Sequence, residues 1–451
     1  MVIEPILTMN LRTSALFLSL AALAAPALSQ DVLQPGFQAQ VLQLPNGASS
    51  RTLTTGDIIT VDGVGVDRWL PDGTFVQNLG TFPAALFGGA FDIDPTETFA
   101  IVGRTDSSTT PNPVFKVMLD GSGMTQLADV VFNYDGAFAP DGTYYLSAAI
   151  GGFGAGNSLL RLDTTTGVVT ELAQLSGASG PVAVDAQGNL FYATVSDLFP
   201  APAASTDVLI FQAADLAAAD CATGPCLSDA SAISYATGYD GAGGLVIDWR
   251  TGTAYMIENN FSSGANRVWA VTGGAASGPP LVEGVPFQWI SNLEVHAGGA
   301  LPELRAYQPV ADARLLYTNT DWATFTNRNE VTAARATLAL SGPGLTGPGV
   351  VDLTVTGGEP GGSALVLFGP TSLVSPTEGA LVLPGVDPFL FTALDPASVL
   401  TFGGALPLDG AGSAGLTFAN PGGLEGLVTI QGLLIDLQGI SVLGTTTAAP
   451  F

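Results

Sequence analysis

The tetrapeptide Tyr-Asp-Gly-Ala occurs twice in the chain, at residues 134–137 and 239–242. It places Asp135 and Asp240 in the same local setting. Carboxylate oxygens are preferred ligands of calcium, and a carboxyl group can act as a general acid or base. The repeat therefore has two interpretations. The two aspartates serve chemistry together, or one Asp-Gly turn is used twice.

Histidine chemistry has almost no basis in this sequence, because His296 is the single histidine. A Ser-His-Asp or Cys-His mechanism would depend entirely on that residue. His296 follows the strand-like stretch ISNLEV, where a lone histidine favours a structural role. Transition-metal sites with several imidazole ligands are excluded, so oxygen ligands and calcium remain as the candidates for metal chemistry.

Composition indicates an all-β protein. The 451 residues include 57 glycines and 30 prolines, 47% are apolar and only 11% are charged. This mixture is typical of short buried strands joined by tight turns. The net charge of −27 repels phosphate backbones and attracts divalent cations, so we expect no nucleic-acid partner.

The N-terminal 29 residues have the pattern of a secretory signal peptide. Arg12 precedes the apolar run SALFLSLAALAAPAL, and residues 27–29 fit a small-x-small cleavage site before Gln30. The run is too short to span a membrane, and no later run is long enough. The sequence predicts a secreted chain without a transmembrane segment, extracellular or associated with the cell envelope.

The two cysteines, Cys221 and Cys226, lie in the stretch CATGPC. In an exported protein this spacing predicts a local disulfide across a small loop. Two cysteines alone make a poor zinc site.

A repeat of about 45 residues positions the two aspartates. Each unit contains two hairpins, hence four short antiparallel strands, which is typical of a propeller blade. Six blades are predicted, with five or seven as alternatives, and the early segment FQAQVLQL is predicted to supply the strand that the sixth lacks. The units lie near residues 50–90, 90–133, 136–178, 181–238, 243–286 and 290–325.

Two stretches carry a family resemblance. SGPVAVDAQGNLFYATVSD and GAFAPDGTYYLSA resemble the repeats of NHL and SMP-30/gluconolactonase-like propellers. The resemblance covers about residues 50–325 and implies a propeller domain, which we place at residues 30–328. Its motifs mark a blade and do not specify an activity.

The blade pattern ends near Val331, and alternating strands with Gly-Pro turns follow. They predict a C-terminal β-sandwich domain at residues 329–451. The stretches LPLDGAGSAGLTF and GLEGLVTIQGLLIDLQG resemble the C-terminal module of secreted proteins of planctomycete-type bacteria. That resemblance implies an exported, surface- or matrix-associated protein and no particular activity.

The blade register predicts that Asp135, Asp240 and Asn292 converge on one mouth of the central channel. Both aspartates are interpreted as occupying the same position in their blades, and each of the three residues lies near the start of an innermost strand. SMP-30-like lactonases hold a divalent metal there on Glu, Asn and Asp ligands, so the resemblance implies a calcium site. The chain departs from that family because it has no Glu-Gly motif at the first blade. Structural Asp-Gly turns remain the alternative.

The favoured hypothesis is a secreted, non-catalytic propeller that binds a protein, glycan or cell-surface partner, with the C-terminal domain as anchor or spacer. The alternative is a calcium-dependent, lactonase-like hydrolase with the metal in the channel. A purely structural envelope component is the third hypothesis.

Overall fold

The computed structural model describes residues 32–33 and 38–42, and residues 49–451 except 196–205, 298–312, 371–399 and shorter gaps. The predicted signal peptide, residues 1–29, lies outside the described residues. Strands dominate, which confirms the all-β prediction. In the described part of the chain no helix is long and apolar enough to cross a membrane.

Six sheets follow two short N-terminal strands, β1 (Val32–Leu33) and β2 (Gln38–Leu42), and we call them blades 1 to 6. Blade 1 contains β3 (Ser49–Thr52), β4 (Ile58–Val61), β5 (Gly65–Trp69) and β6 (Phe75–Thr81). Blade 2 contains β7 (Phe87–Ile93), β8 (Phe99–Thr105), β9 (Pro111–Met118) and β10 (Met124–Val131). Blade 3 contains β11 (Asn133–Phe138), β12 (Tyr144–Ala148), β13 (Asn157–Leu162) and β14 (Val169–Leu175).

The other three blades have the same antiparallel order, with additions at their edges. Blade 4 contains β15 (Val182–Val184), β16 (Leu190–Ala193), β17 (Thr206–Phe211) and β18 (Ile233–Tyr239). Blade 5 contains β19 (Gly244–Asp248), β20 (Thr253–Asn260), β21 (Ala265–Val271) and β23 (Val282–Glu283). The short strand β22 (Gly274–Ala275) lies between β21 and β23 in the chain but pairs with β18 and so extends blade 4. Blade 6 contains β24 (Trp289–Ala297), β25 (Ala313–Asp321) and β26 (Thr326–Ala333).

The innermost strands form a closed ring. The first strands of successive blades, β3, β7, β11, β15, β19 and β24, each contact the next, and β24 contacts β3. This arrangement is a six-bladed β-propeller, which confirms the predicted fold and blade number. Strands such as β12 are buried along their whole length, because each face of a blade packs against a neighbouring blade.

The N-terminal segment completes two blades. Strand β2 pairs antiparallel with β26, from Gln38 opposite Ala333 to Leu42 opposite Asn329, and becomes the fourth strand of blade 6. The predicted role of FQAQVLQL is thus confirmed. Strand β1 pairs with β23 at the edge of blade 5.

An insertion between β17 and β18 covers the edge of blade 3. It contains helix α1 (Ala213–Ala218) and the disulfide Cys221–Cys226, which confirms the predicted pairing. The backbone N–H of Leu227 donates to Leu172 O at 2.9 Å, and Gln174 N–H donates to Leu227 O at 3.0 Å. The insertion therefore adds a short strand-like contact to the exposed edge of β14.

The C-terminal part forms one network of strands, in which residues from both ends share an apolar core that includes Leu338, Leu353, Val366 and Ile430. The predicted division into two packed layers and the predicted domain boundaries stay predictions. Strands of this part are β27 (Arg335–Ser341), β28 (Gly349–Thr356), β29 (Ser363–Pro370), β30 (Leu400–Thr401), β31 (Leu406–Pro407), β32 (Ala414–Asn420), β33 (Val428–Asp436), β34 (Ser441–Thr446) and β35 (Ala449–Pro450).

Candidate functional site in the central channel

A cavity of about 120 Å³, open to solvent at its mouth, lies where the six innermost strands meet. All six blades contribute to its wall, so it is the central channel of the propeller. About half of the accessible wall is apolar, and the apolar lining residues include Ile93, Phe138, Val184, Ile247 and Trp249. A concave site that combines apolar surface with fixed polar groups is suited to a small molecule.

Two channel carboxylates connect successive blades. Asp92 Oδ2 in blade 2 accepts the backbone N–H of Phe138 in blade 3 at 3.0 Å. Asp135 Oδ2 in blade 3 accepts the backbone N–H of Val182 in blade 4 at 3.0 Å. Each carboxylate thus satisfies a donor of the next innermost strand and fixes the spacing of two blades.

Two glutamates make the equivalent connection to blade 1. Glu294 in blade 6 accepts the backbone N–H of Thr52 at 2.6 Å and its hydroxyl at 3.2 Å. Glu97 in blade 2 accepts the backbone N–H and the hydroxyl of Thr54, both at 2.8 Å. Blade 1 is therefore held by a carboxylate from each of its neighbours.

Arg51 is the cation of the channel and connects three blades. Its guanidinium donates to Asn292 Oδ1 in blade 6 at 3.0 Å and to the carbonyl oxygen of Phe91 in blade 2 at 3.1 Å. Its Nε lies 3.7 Å from Asp92 Oδ1, and both side chains are about one-sixth exposed. These contacts hold the guanidinium against the wall of the channel.

The Asp135 carboxyl titrates abnormally. Burial raises its pKa to about 6, and the nearby charge of Asp92 adds to the rise. Hydrogen bonds from the Val182 and Gly136 amides and the charge of Arg51 lower the pKa without cancelling the effect of burial. Asp135 keeps partial access to the cavity, yet the surrounding protein atoms desolvate it.

Asn292, the predicted third ligand, occupies a β-bulge in β24 with a φ of 58°. Asparagine tolerates this left-handed conformation better than most residues. Its amide oxygen accepts from Arg51, and its amide nitrogen donates to Ser50 Oγ at 2.9 Å. Asn292 therefore joins blade 6 to blade 1 beside the channel.

Asp240 lies elsewhere. It falls between β18 and β19, outside the strands and outside the lining of the cavity. Its carboxylate accepts from Asn260 Nδ2 at 2.6 Å and from Ser263 Oγ at 2.5 Å, and its own N–H donates to Glu258 Oε1. These bonds fasten the loop between β20 and β21.

The prediction that the two Tyr-Asp-Gly-Ala copies occupy the same position in their blades is wrong. In blade 3 the crossover from the preceding blade takes one residue, Phe132, so Asp135 falls within β11. In blade 5 the crossover takes residues 240–243, so Asp240 precedes the strand. The tetrapeptide is shared, but the backbone that carries it is not.

The predicted metal set is only partly brought together. Asp135 and Asn292 both lie near Arg51, whereas Asp240 is bonded to its own loop. Within the described residues no group of three or more His, Cys, Asp or Glu side chains is arranged to hold a metal ion. A calcium site of these three residues stays a prediction. The side chain of His296 lies outside the described residues.

Sequence reasoning missed most of the channel network. Asp92 gave a weak signal, because it lies on one strand face with Asp94 in FDID. Arg51, Glu97 and Glu294 gave none, since their partners belong to other blades.

Comparisons with known proteins give similar solved structures at low sequence identity. No family model and no curated protein matches the sequence. Similar solved structures include a gluconolactonase from Xanthomonas campestris, with 15% identity, a TM-score of 0.42, and coverage of 69% of this chain and 92% of that one. They also include a Trichoderma reesei carbohydrate-active enzyme of family AA12, with 11% identity, a TM-score of 0.44, and coverage of 66% and 97%. The WD40 domain of Neurospora crassa Pan2 has 10% identity, a TM-score of 0.37, and coverage of 61% and 72%.

Proposed function

We propose that this chain is a secreted β-propeller that binds a ligand in its central channel without converting it. The support is the combination of a cavity whose wall is about half apolar and carboxylates that already accept hydrogen bonds from the next blade. Asp92 and Asp135 each hold a backbone N–H at 3.0 Å. Such groups present fixed charge to a ligand, which favours binding by a preorganised site.

The inter-blade role of Asp135 is the observation that carries this proposal. Both oxygens of Asp135 accept backbone N–H groups, from Gly136 at 2.9 Å and Val182 at 3.0 Å, so the carboxylate is held in place as part of the junction between blades 3 and 4. Moving this carboxylate would weaken the junction of blades 3 and 4. A structural carboxylate that also lines a pocket fits binding better than turnover.

Secretion and partners belong to the same proposal. The signal-peptide pattern of residues 1–29 and the Cys221–Cys226 disulfide both fit an oxidising compartment outside the cytoplasm. The protein would then be extracellular or associated with the cell envelope. A protein, glycan or cell-surface partner would contact the loop faces, and the C-terminal strands would act as anchor or spacer.

The test compares binding with turnover on the mature chain from Gln30. We expect a panel of lactones and simple esters to hydrolyse at the buffer rate, with calcium or with a chelator. We expect a small-molecule screen, monitored by tryptophan fluorescence to which Trp249 of the lining contributes, to find ligands that lose affinity in Ala137→Leu, a substitution in the cavity lining. The matched control is Ala222→Leu in the exposed disulfide loop. Turnover that Asp135→Asn abolishes would overturn the proposal.

A second candidate function rests on the pKa of Asp135, which burial raises to about 6. A carboxyl group with such a pKa in a cavity can act as a general base near neutral pH. This favours the calcium-dependent, lactonase-like alternative, with Asp135 and Asn292 as ligands or base. Calorimetric calcium titration of the wild type, Asp135→Asn and the exposed-turn control Asp163→Asn tests it. Calcium-dependent lactone hydrolysis that only Asp135→Asn loses would establish this function in place of the first.

A further inference from the structure

The hydroxyl of Tyr144 is buried beside the channel without a partner. Tyr144 is fully buried in β12, and its Oη has no hydrogen-bond partner among the described residues. Gly136 lines the cavity, and a Cβ atom at that position would collide with this hydroxyl. The hydroxyl therefore lies directly behind Gly136, one layer outside the residues that line the cavity. Buried hydroxyl groups rarely stay unpaired, so a water or a ligand group that reaches past Gly136 is expected to bind it.

The same place is strongly acidic. Asp92 and Asp135 are both close enough to Tyr144 to raise the pKa of its hydroxyl, after the larger effect of burial. Of the described residues that line the cavity, five carry carboxylates and one, Arg51, carries a positive charge. The field of a chain with net charge −27 acts in the same direction. A positively charged ligand would relieve this imbalance.

Asp135 retains capacity for a ligand. Each oxygen of an ionised carboxylate can accept two hydrogen bonds. Asp135 Oδ1 and Oδ2 each accept one backbone N–H, from Gly136 and Val182. These bonds fix the two oxygens in place and leave lone pairs for a further donor. Asp92 adds negative charge beside them, with its own oxygens held by Ile93, Phe138 and Arg51.

The apolar wall indicates what kind of cation fits. Calcium and magnesium take oxygen ligands and water, and have no use for hydrocarbon surface. Trp249 and the strand residues Phe138, Val184 and Ile247 line the same cavity as the acids, and about half of the accessible lining is apolar. They would remove from water a hydrocarbon or aromatic group joined to the charge.

We propose that the channel binds a small organic cation, an ammonium group carried on an apolar body. The ammonium donates to Asp92, to Asp135 and to the Tyr144 hydroxyl, which matches its three N–H bonds. The apolar body lies against the wall that includes Phe138 and Trp249. This inference rests on the proposed function, since it names the ligand class of the same cavity.

Three probes of one shape test the charge requirement. Calorimetry is done with 2-phenylethylamine, 2-phenylethanol and phenylacetate on the mature chain at pH 7.5, in the presence of a chelator. We expect the amine to bind, the alcohol to bind about tenfold more weakly or worse, and the carboxylate not to bind. Equal affinity for amine and alcohol would overturn the cation inference and leave the proposed ligand-binding function intact. Binding by none of the three probes would also overturn the cation inference.

Variants then locate the ammonium. Asp92→Asn and Asp135→Asn are each expected to weaken amine binding about tenfold, as loss of one charge-assisted contact does. Tyr144→Phe removes a hydroxyl that stabilises nothing else in the described structure, so the fold should survive and amine binding should weaken several-fold. Asp163→Asn, in an exposed turn, changes net charge equally and should leave affinity unchanged.

The possible outcomes distinguish failure of the organic-cation site from failure of the proposed function. Unchanged amine affinity in a folded Tyr144→Phe protein, or an equal loss in Asp163→Asn, would overturn the placement of the ammonium. In a repeat titration with calcium and no chelator, calcium that displaces the amine competitively would overturn the organic cation in favour of a metal. Lactone turnover in the earlier assay would instead overturn the proposed function itself.

Discussion

Asp135 is subject to two opposite effects: hydrogen bonds stabilise its ionised form, and burial destabilises it. Its oxygens hold the amides of Gly136 and Val182, yet burial still raises its pKa to about 6. The hydrogen bonds favour the ionised form and desolvation disfavours it. Desolvation is the larger effect, so the folded protein holds a proton on this group more tightly than the unfolded chain does.

We expect Asp135→Asn to change how stability depends on pH. The folded pKa of about 6 exceeds the ordinary value of 3.8, so only the unfolded chain has lost the proton between these values. Stability contributed by Asp135 therefore falls as pH rises from about 4 to about 6. The free energy of unfolding of Asp135→Asn, measured relative to that of wild type, should rise across this window by up to about 3 kcal/mol. Urea unfolding at pH 4 to 7 with a chelator measures it.

The control for this titration has the opposite sign. Backbone amides of Thr166 and Thr165 lower the pKa of exposed Asp163. Its stabilising contribution is present above the ordinary pKa and lost on acidification. Asp163→Asn should therefore lose its disadvantage as pH falls. A stability difference between wild type and Asp135→Asn that stays constant with pH would contradict the argument.

Glu294 is expected to be the strongest single clamp of the ring. It is almost completely buried, and it accepts the Thr52 N–H at 2.6 Å across the junction of blades 6 and 1. Glu294→Ala leaves that donor without its acceptor and should lower the free energy of unfolding by about 2–3 kcal/mol. Glu294→Gln keeps a carbonyl acceptor and should cost about 1 kcal/mol. Chemical denaturation at pH 7 gives both values.

Glu97 provides the comparison for that clamp. It makes the same pair of bonds, to Thr54, but from a more exposed position. Water can replace its oxygens, so Glu97→Ala should cost clearly less than Glu294→Ala. Equal costs would mean that burial does not set the strength of these bonds.

At the scale of elements, the closing strand decides whether the ring is complete. Strand β2 adds the fourth strand to blade 6 through pairing with β26, so the first and last parts of the propeller meet in one sheet. Without it β26 would expose a row of unpaired backbone groups. The short strand β1 extends blade 5 and keeps the segment against the ring.

Removal of residues 30–44 from a chain that begins at Gln30 should therefore loosen the whole propeller. Five residue pairs join β2 to β26. At about 1 kcal/mol for each backbone bond, the loss is roughly 5 kcal/mol, or about 10 °C in melting temperature. Calorimetry of the chain beginning at residue 45, with the chain beginning at Gln30 as control, checks this. An unchanged melting temperature would show that the ring closes without β2.

The sequence was sufficient to predict the strands and blades, but not the position of a given residue within its blade. Apolar alternation and Asp, Pro and Gly turns are local, so they predicted the blades, and FQAQVLQL was found because blade 6 lacked a strand. The length of each crossover is not written in a local pattern. Phe132 alone joins blades 2 and 3, whereas residues 240–243 join blades 4 and 5, and this difference moved Asp240 out of the channel.

The same limit explains the incomplete prediction of the site. Asp135 was recognised from its turn-like neighbours, and Asn292 from its place near the last blade. Their true partners are distant in sequence, as the bond between Arg51 and Asn292 illustrates with its separation of 241 residues. Only closure of the ring brings such residues together.

At the scale of the whole molecule, charge affects stability in two opposite ways, through attraction in ion pairs and through repulsion among acidic residues. The chain has 39 acidic residues and 12 lysines and arginines, and loss of residues 1–29 removes only Glu4 and Arg12, which leaves the net charge at −27. Ion pairs such as Arg68 with Asp57 and Arg267 with Glu283 stabilise the fold and are weakened by salt. Repulsion among the remaining acids destabilises the compact state and is also weakened by salt.

We expect repulsion to be the larger effect, because most acidic residues have no cation to pair with. The melting temperature at pH 7 should therefore rise as NaCl increases from about 0.02 to about 0.5 M, where the Debye length falls from roughly 20 Å to about 4 Å. The control is the same titration near the isoelectric point of about 4.1, where net repulsion vanishes and the rise should disappear. Scanning calorimetry with a chelator present separates screening from calcium binding. A melting temperature that falls with salt at pH 7 would mean that the few ion pairs outweigh the excess of negative charge.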